Sequence, residues 1–82
     1  MAMMNYAEAS CAALAAAMRA DARVVTLGED VGRGGIFGQY KGLAGEFGRA
    51  RVIDTPISES TIMGAAVGMA LSGLKPVVEM RV

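Results

Sequence analysis

No histidine and no tryptophan occur in the 82 residues, and cysteine appears once, at Cys11. Without histidine the chain lacks the commonest general base and the commonest metal ligand. A single cysteine allows neither an internal disulfide nor a zinc spacing. Cys11 lies in an Ala-rich apolar stretch with nothing to activate it, so it reads as a small buried hydrophobe and not as a reactive thiol. An excess of either charge is also lacking, since 8 Lys and Arg balance 8 Asp and Glu. With no basic patch, acidic tail or long charge run, neither nucleic acid nor an anionic membrane is expected as a partner. The longest apolar run, Ile62 to Leu74, is shorter than the roughly 20 residues that cross a bilayer. The N-terminus lacks the basic-then-apolar pattern of a signal peptide. A cytoplasmic protein is therefore expected. What remains is a globular composition, 54% apolar with 11 glycines, of a length that allows at most one domain.

Asn5 followed by Glu8 has the form of a capping box. It opens a predicted helix to about Ala20, in which Ala7, Cys11, Leu14 and Met18 share one face. Arg23 to Leu27 is a short β-branched run ended by Gly28, the pattern of a buried strand in a parallel sheet. Residues 28–42 are too rich in glycine for a regular element. A short helix over Lys41–Phe47 follows, with Gly48 as its stop. Arg51–Asp54 is a second strand, broken at Thr55-Pro56. Ser58 is the predicted N-cap of a helix to about Ser72, and Gly73 ends it. Lys75–Val82 is a third strand. The α-β-(α)-β-α-β order predicts an α/β fold, a partial parallel sheet with packed helices. The two later strands and their helix form one βαβ crossover. A three-stranded parallel sheet alone leaves faces and edges uncovered, so residues 1–82 are expected to be an incomplete domain.

Ligands of open α/β sheets bind outside the carboxyl ends of the strands. Glu29-Asp30, the Gly-rich segment and Thr55 to Glu59 lie there. Glu29 and Asp30 read either as solvated loop acids or as a pair lining a polar site. Glu59, in the first turn of the third helix, reads either as an acid that favours the helix dipole or as a functional carboxyl. In the second case it is desolvated between Ile57, Ile62 and Met63 and able to share a proton with a ring nitrogen. The glycines match neither a dinucleotide nor a Walker motif, and the acids make no metal set. Gly64, Gly68 and Ser72 at four-residue spacing imply close backbone approach, either to the sheet or to another subunit.

Leu27-Gly-Glu-Asp-Val-Gly32, Lys41-Gly-Leu43 with Phe47-Gly48, Arg51-Val-Ile-Asp-Thr-Pro-Ile-Ser-Glu59, Gly64-Ala-Ala-Val-Gly68 and Gly73-Leu-Lys-Pro-Val-Val-Glu79 resemble the β subunit of thiamine-diphosphate-dependent 2-oxo acid dehydrogenases. That family includes the pyruvate, branched-chain and acetoin enzymes. The resemblance runs from about Tyr6 to Val82, and its most specific part is Asp54 to Glu59. It implies the N-terminal portion of a transketolase-like pyrimidine-binding domain. It also implies that Glu59 hydrogen-bonds N1′ of the cofactor's aminopyrimidine and favours the tautomer that deprotonates the thiazolium ring. Decarboxylation then uses the cofactor as electron sink. Glu29 and Ile57 are implied as further cofactor-pocket residues. The Gly64–Gly68 segment is similar to a motif at the α–β subunit interface.

By the same resemblance, the α subunit of an α2β2 heterotetramer holds the diphosphate and Mg²⁺. A lipoyl acyltransferase receives the acyl group through regions beyond Val82, and the substrate is a small 2-oxo acid or acetoin. The 82 residues alone are not expected to turn over. A non-catalytic assembly fragment and a transketolase- or deoxyxylulose-phosphate synthase-like enzyme are the competing readings.

Overall fold

The computed structural model of the chain describes residues 5–80. It contains α1 (Tyr6–Ala20), β1 (Val24–Gly28), α2 (Leu43–Phe47), β2 (Val52–Asp54), α3 (Glu59–Leu71) and β3 (Lys75–Glu79). The predicted end of the last strand at Arg81 and Val82 lies outside the described residues. The sheet is three-stranded and parallel in the order β2-β1-β3. The β2-α3-β3 unit therefore crosses over β1, which the sequence could not say.

Local signals account for most element ends. The Asn5 side chain accepts from the Glu8 amide at 2.8 Å and caps α1. Gly48, at φ 84°, closes α2 with its amide on the Ala44 carbonyl at 2.9 Å. Gly73, at φ 98°, closes α3. There Leu74 N donates to Met69 O at 3.0 Å and Gly73 N to Ala70 O at 3.1 Å, the paired bonds that a left-handed residue after a helix permits. Ser58 takes the predicted N-cap position of α3, but its side chain makes no capping hydrogen bond.

The pleat sends alternate β1 side chains to opposite faces. On one face Val24 joins Ala15, Met18, Val31, Tyr40, Leu43 and Val52 in a buried cluster under α1, with Cys11, Leu14, Ala44 and Phe47 at its margin. Cys11 is thus half-buried, and its thiol donates to the Lys41 carbonyl at 3.4 Å. On the other face α3 packs, its buried residues being Ile62 and Ala66. Arg51 ties these parts together. Its Nη2 donates to the carbonyls of Met18, Asp21 and Val24 at 2.7, 3.0 and 2.9 Å. Its guanidinium lies 4.9 Å from the Phe47 ring centroid.

The outer face of α3 removes one of the two readings of its glycines. A Cβ at Gly64 or Gly68 would meet nothing within 4 Å, so these glycines do not let the helix approach its own sheet. Met63, Val67 and Leu71, one helical stripe, are 46%, 56% and 85% exposed. A helix apolar on both sides is normally covered on both. No helix among the described residues is long and apolar enough to cross a membrane.

Candidate functional site at the carboxyl edge of the sheet

Strand register brings three chain segments to one edge. Gly28 pairs with Asp54 on one side and with Glu79 on the other. The residues that follow Gly28 and Asp54 therefore emerge side by side, where open parallel sheets bind ligands.

Glu29 is the first of them. It is only 5% exposed, so it is not a solvated loop acid. Asp30 after it has φ 60°, a left-handed turn that folds the Gly-rich segment back. Within that segment Gly35 N donates to Asp30 O at 2.8 Å and Tyr40 N to Gly34 O at 3.0 Å. The loop is further tied to β2. Asp54 accepts from Gly32 N at 2.7 Å and from Arg49 at 2.8 Å.

Glu59 is the first residue of α3 and is exposed. Of the two readings of Glu59, the apolar cage does not form within the described residues. Ile62 is buried at 2%, but Ile57 and Met63 are 77% and 46% exposed. The physical reason is placement. Ile62 points back onto the sheet, whereas Ile57 and Glu59 stand on the exposed rim of the turn, with no other element of the described residues covering them. The structure thus puts Glu59, Glu29 and Ile57 at the same edge, and of the three it buries only Glu29.

Sequence reasoning missed the concavity beside Glu59. A pocket of about 330 Å³ is lined by Leu27, Asp54, Thr55, Pro56, Ser58, Thr61, Ile62 and Ala65. Its floor is apolar and its polar groups are one carboxylate and three hydroxyls. The Thr55 amide donates to Gly28 O at 2.9 Å, while its Oγ1 is buried with no hydrogen-bond partner. A buried hydroxyl without a partner costs about 1–3 kcal/mol. The sequence places Thr55-Pro56 at a strand end on the ligand edge, but nothing in it marks the hydroxyl. Glu59 is not itself in the lining, although Ser58 and Thr61 on either side of it are.

A second concavity, of about 380 Å³, lies between α1 and α2 and includes Cys11, Arg19, Lys41 and Glu46. Arg19 and Glu46 bridge it, with Nη2 to Oε1 at 2.7 Å. Elsewhere the Arg23 guanidinium, the Arg23 backbone amide and Lys75 hold the Asp21 carboxyl well below the usual carboxylate range. Burial, and then the Glu79 charge beside it, push the Tyr40 hydroxyl up to about 12.

Residues 2–81 match the transketolase pyrimidine binding domain. The chain belongs to that family. Its relatives include the 2-oxoisovalerate dehydrogenase subunit beta of Bacillus subtilis (strain 168), 46% identical over 99% of this chain and 25% of the relative. They also include the pyruvate dehydrogenase E1 component subunit beta of Acholeplasma laidlawii, 48% identical over 99% of this chain and 25% of the relative. A third is the acetoin:2,6-dichlorophenolindophenol oxidoreductase subunit beta of Bacillus subtilis (strain 168), 42% identical over 95% of this chain and 27% of the relative. This pyrimidine-binding-family chain therefore spans about a quarter of the length of the curated relatives it matches. The α/β architecture expected from the alternating elements is the one observed.

Proposed function

We propose that the chain forms one wall of a thiamine diphosphate site in the β subunit of a 2-oxo acid or acetoin dehydrogenase component, an oxidoreductase, with Glu59 contacting N1′ of the aminopyrimidine. One observation carries this reading. Asp54 to Glu59 folds as strand end, turn and helix start, directly at the carboxyl edge of a parallel sheet, in a member of the pyrimidine-binding family.

The residues fit the pyrimidine half of such a cofactor. The apolar floor of the neighbouring pocket suits a flat ring, and Thr55 Oγ1 has an unused hydrogen bond to offer. Thiamine diphosphate, when bound, supplies the electron sink for decarboxylation. Glu59 supplies a carboxyl oxygen to N1′. It stands exposed in the first turn of α3, within reach of a ring laid against the sheet edge. Ile57 stands exposed beside it as the apolar contact, and the buried Glu29 forms the back of the edge.

The diphosphate, its Mg²⁺ and the opposing surface belong on this reading to an α subunit in an α2β2 assembly. Acyl transfer to a lipoyl acyltransferase uses parts of the subunit beyond these residues. On this reading such a component acts in the cytoplasm.

Glu59→Gln in the full-length subunit, assembled with its α partner, tests the assignment. The amide keeps a hydrogen bond to the ring but cannot relay its proton. Hydrogen–deuterium exchange at C2 of bound cofactor should fall at least ~100-fold, the scale of general acid–base catalysis. Exchange at the wild-type rate removes Glu59 from the role.

The exposed α3 stripe favours a second reading, in which the segment serves assembly alone. An α–β complex that forms normally yet takes up no thiamine diphosphate in calorimetric titration would select it.

A further inference from the structure

Glu79 holds together groups that are distant in sequence and meet at the ligand edge. It is the last residue of β3 and pairs in register with Gly28. The contact is tight, because a Cβ on Gly28 would stand 2.5 Å from Glu79 Cβ and 2.7 Å from its carbonyl oxygen. Glu29, the next residue, is 5% exposed. The Glu79 carboxylate reaches into the Gly-rich loop, where Gln39 Nε2 donates to its Oε2 at 3.2 Å. Gln39 in turn organises the loop tip, its Oε1 accepting from Phe37 N at 2.8 Å. The same Oε1 lies so close to Gly35 that a Cβ there would be 2.8 Å away. Tyr40, 8% exposed, packs in the α1-side cluster with its hydroxyl near the Glu79 charge.

These contacts form a chain from β3, through Glu79 and Gln39, to a loop that leaves the sheet at Glu29 and returns at α2. The loop has no helix or strand of its own, and its tip exposes Ile36 and Phe37 at 56% and 77%. Asp54, through Gly32, and Glu79, through Gln39, both tether it to the sheet, one on each side of β1.

We propose that Glu79 is a positioning residue for the cofactor site: through Gln39 it pins the Gly-rich loop over the carboxyl end of β1 and keeps Glu29 in the dry wall of the site. This role rests on the function proposed above. In this role Glu79 acts through Gln39 and not by contact with the cofactor. It acts by fixing a segment that otherwise orders only when ligand binds, and ordering at that moment weakens affinity.

The test uses the full-length subunit assembled with its α partner. Thiamine diphosphate with Mg²⁺ is titrated calorimetrically, and exchange of the loop amides is followed without ligand. Glu79→Ala should weaken cofactor binding about 10-fold or more and speed exchange across residues 33–41, with kcat at saturating cofactor little changed. Glu79→Gln keeps an acceptor for Gln39 and should restore most of both. Gln39→Ala, a change in the loop that leaves the sheet intact, should reproduce the Glu79→Ala loss. The double substitution should be no worse than either, because partners in one contact are not additive. Wild-type affinity in Glu79→Ala or Gln39→Ala, or additive losses in the double, overturns the role of Glu79 alone. Failure of the wild-type complex to bind thiamine diphosphate overturns the proposed function and this role with it.

Discussion

Replacing Arg51 by Ala should cost the fold more than any other surface-reaching substitution. Its Nη2 carries two protons and faces three carbonyls, those of Met18, Asp21 and Val24, while Nε also points at Val24 O at 3.3 Å. Three protons thus serve four contacts, so the count is three hydrogen bonds at most. A bond to a charged donor is worth about 1.5–3 kcal/mol when dry. Arg51 is half-buried, and water can reach part of the vacated space, so about 1 kcal/mol per proton is the sounder figure. Loss of the stack on Phe47 adds about 0.5–1 kcal/mol. The expected total is about 3–4 kcal/mol, against a whole-domain stability of only about 4–12 kcal/mol at this length. Arg51→Lys should recover less than half, because a compact ammonium cannot span carbonyls at the end of α1 and the start of β1 together. Urea unfolding followed by far-ultraviolet circular dichroism reads this directly. With a slope near ~1.2 kcal/mol/M, the midpoint should fall by about 2.5–3.3 M. A fall of less than about 0.5 M in Arg51→Ala would refute the view that this side chain staples α1 to the sheet.

Gly28→Ala should destabilise the chain by about 2 kcal/mol or more, since its φ is 153° and the added methyl meets Glu79; an unchanged thermal midpoint would contradict the close β1–β3 contact. Gly64→Ala should do the reverse in the chain by itself, gaining about 1 kcal/mol from helix propensity with nothing nearby to strike. A destabilised Gly64→Ala variant would mean that the α3 face is already packed. Asp21 has its folded carboxyl depressed by Arg23 and Lys75, so its contribution is present above the unfolded value near ~3.9 and disappears as pH falls through the lower folded value. The stability gap between the parent and Asp21→Asn should therefore be constant from neutral pH down to about 4 and close below it. A gap that persists at the acid extreme would show that the pair contributes by packing and not by charge.

The order α-β-(α)-β-α-β, the Asn5 cap and the glycine stops at Gly48 and Gly73 were legible in the sequence. Each depends on residues within about one helical turn of one another, and short-range sterics and hydrogen bonds decide them. The family string from Asp54 to Glu59 was legible for a different reason: it is contiguous. Ser58 shows the limit of local signals, since the residue stands at the cap but its side chain makes no capping bond. The strand order β2-β1-β3 was not legible, and from it follow the facts that only the tertiary structure decided. Register places Gly28 between Asp54 and Glu79, which buries Glu29 and brings Gln39 to a carboxylate forty residues away. It leaves the Thr55 hydroxyl without a partner beside a pocket, and it leaves Glu59 and Ile57 on an open rim, where the sequence pattern allowed either an exposed acid or an apolar cage. Burial is a property of what packs over a residue, not of its neighbours in the chain. Residue type and spacing therefore determined where the edge lies and which acid stands at the helix start, while long-range strand pairing decided which groups at that edge are dry.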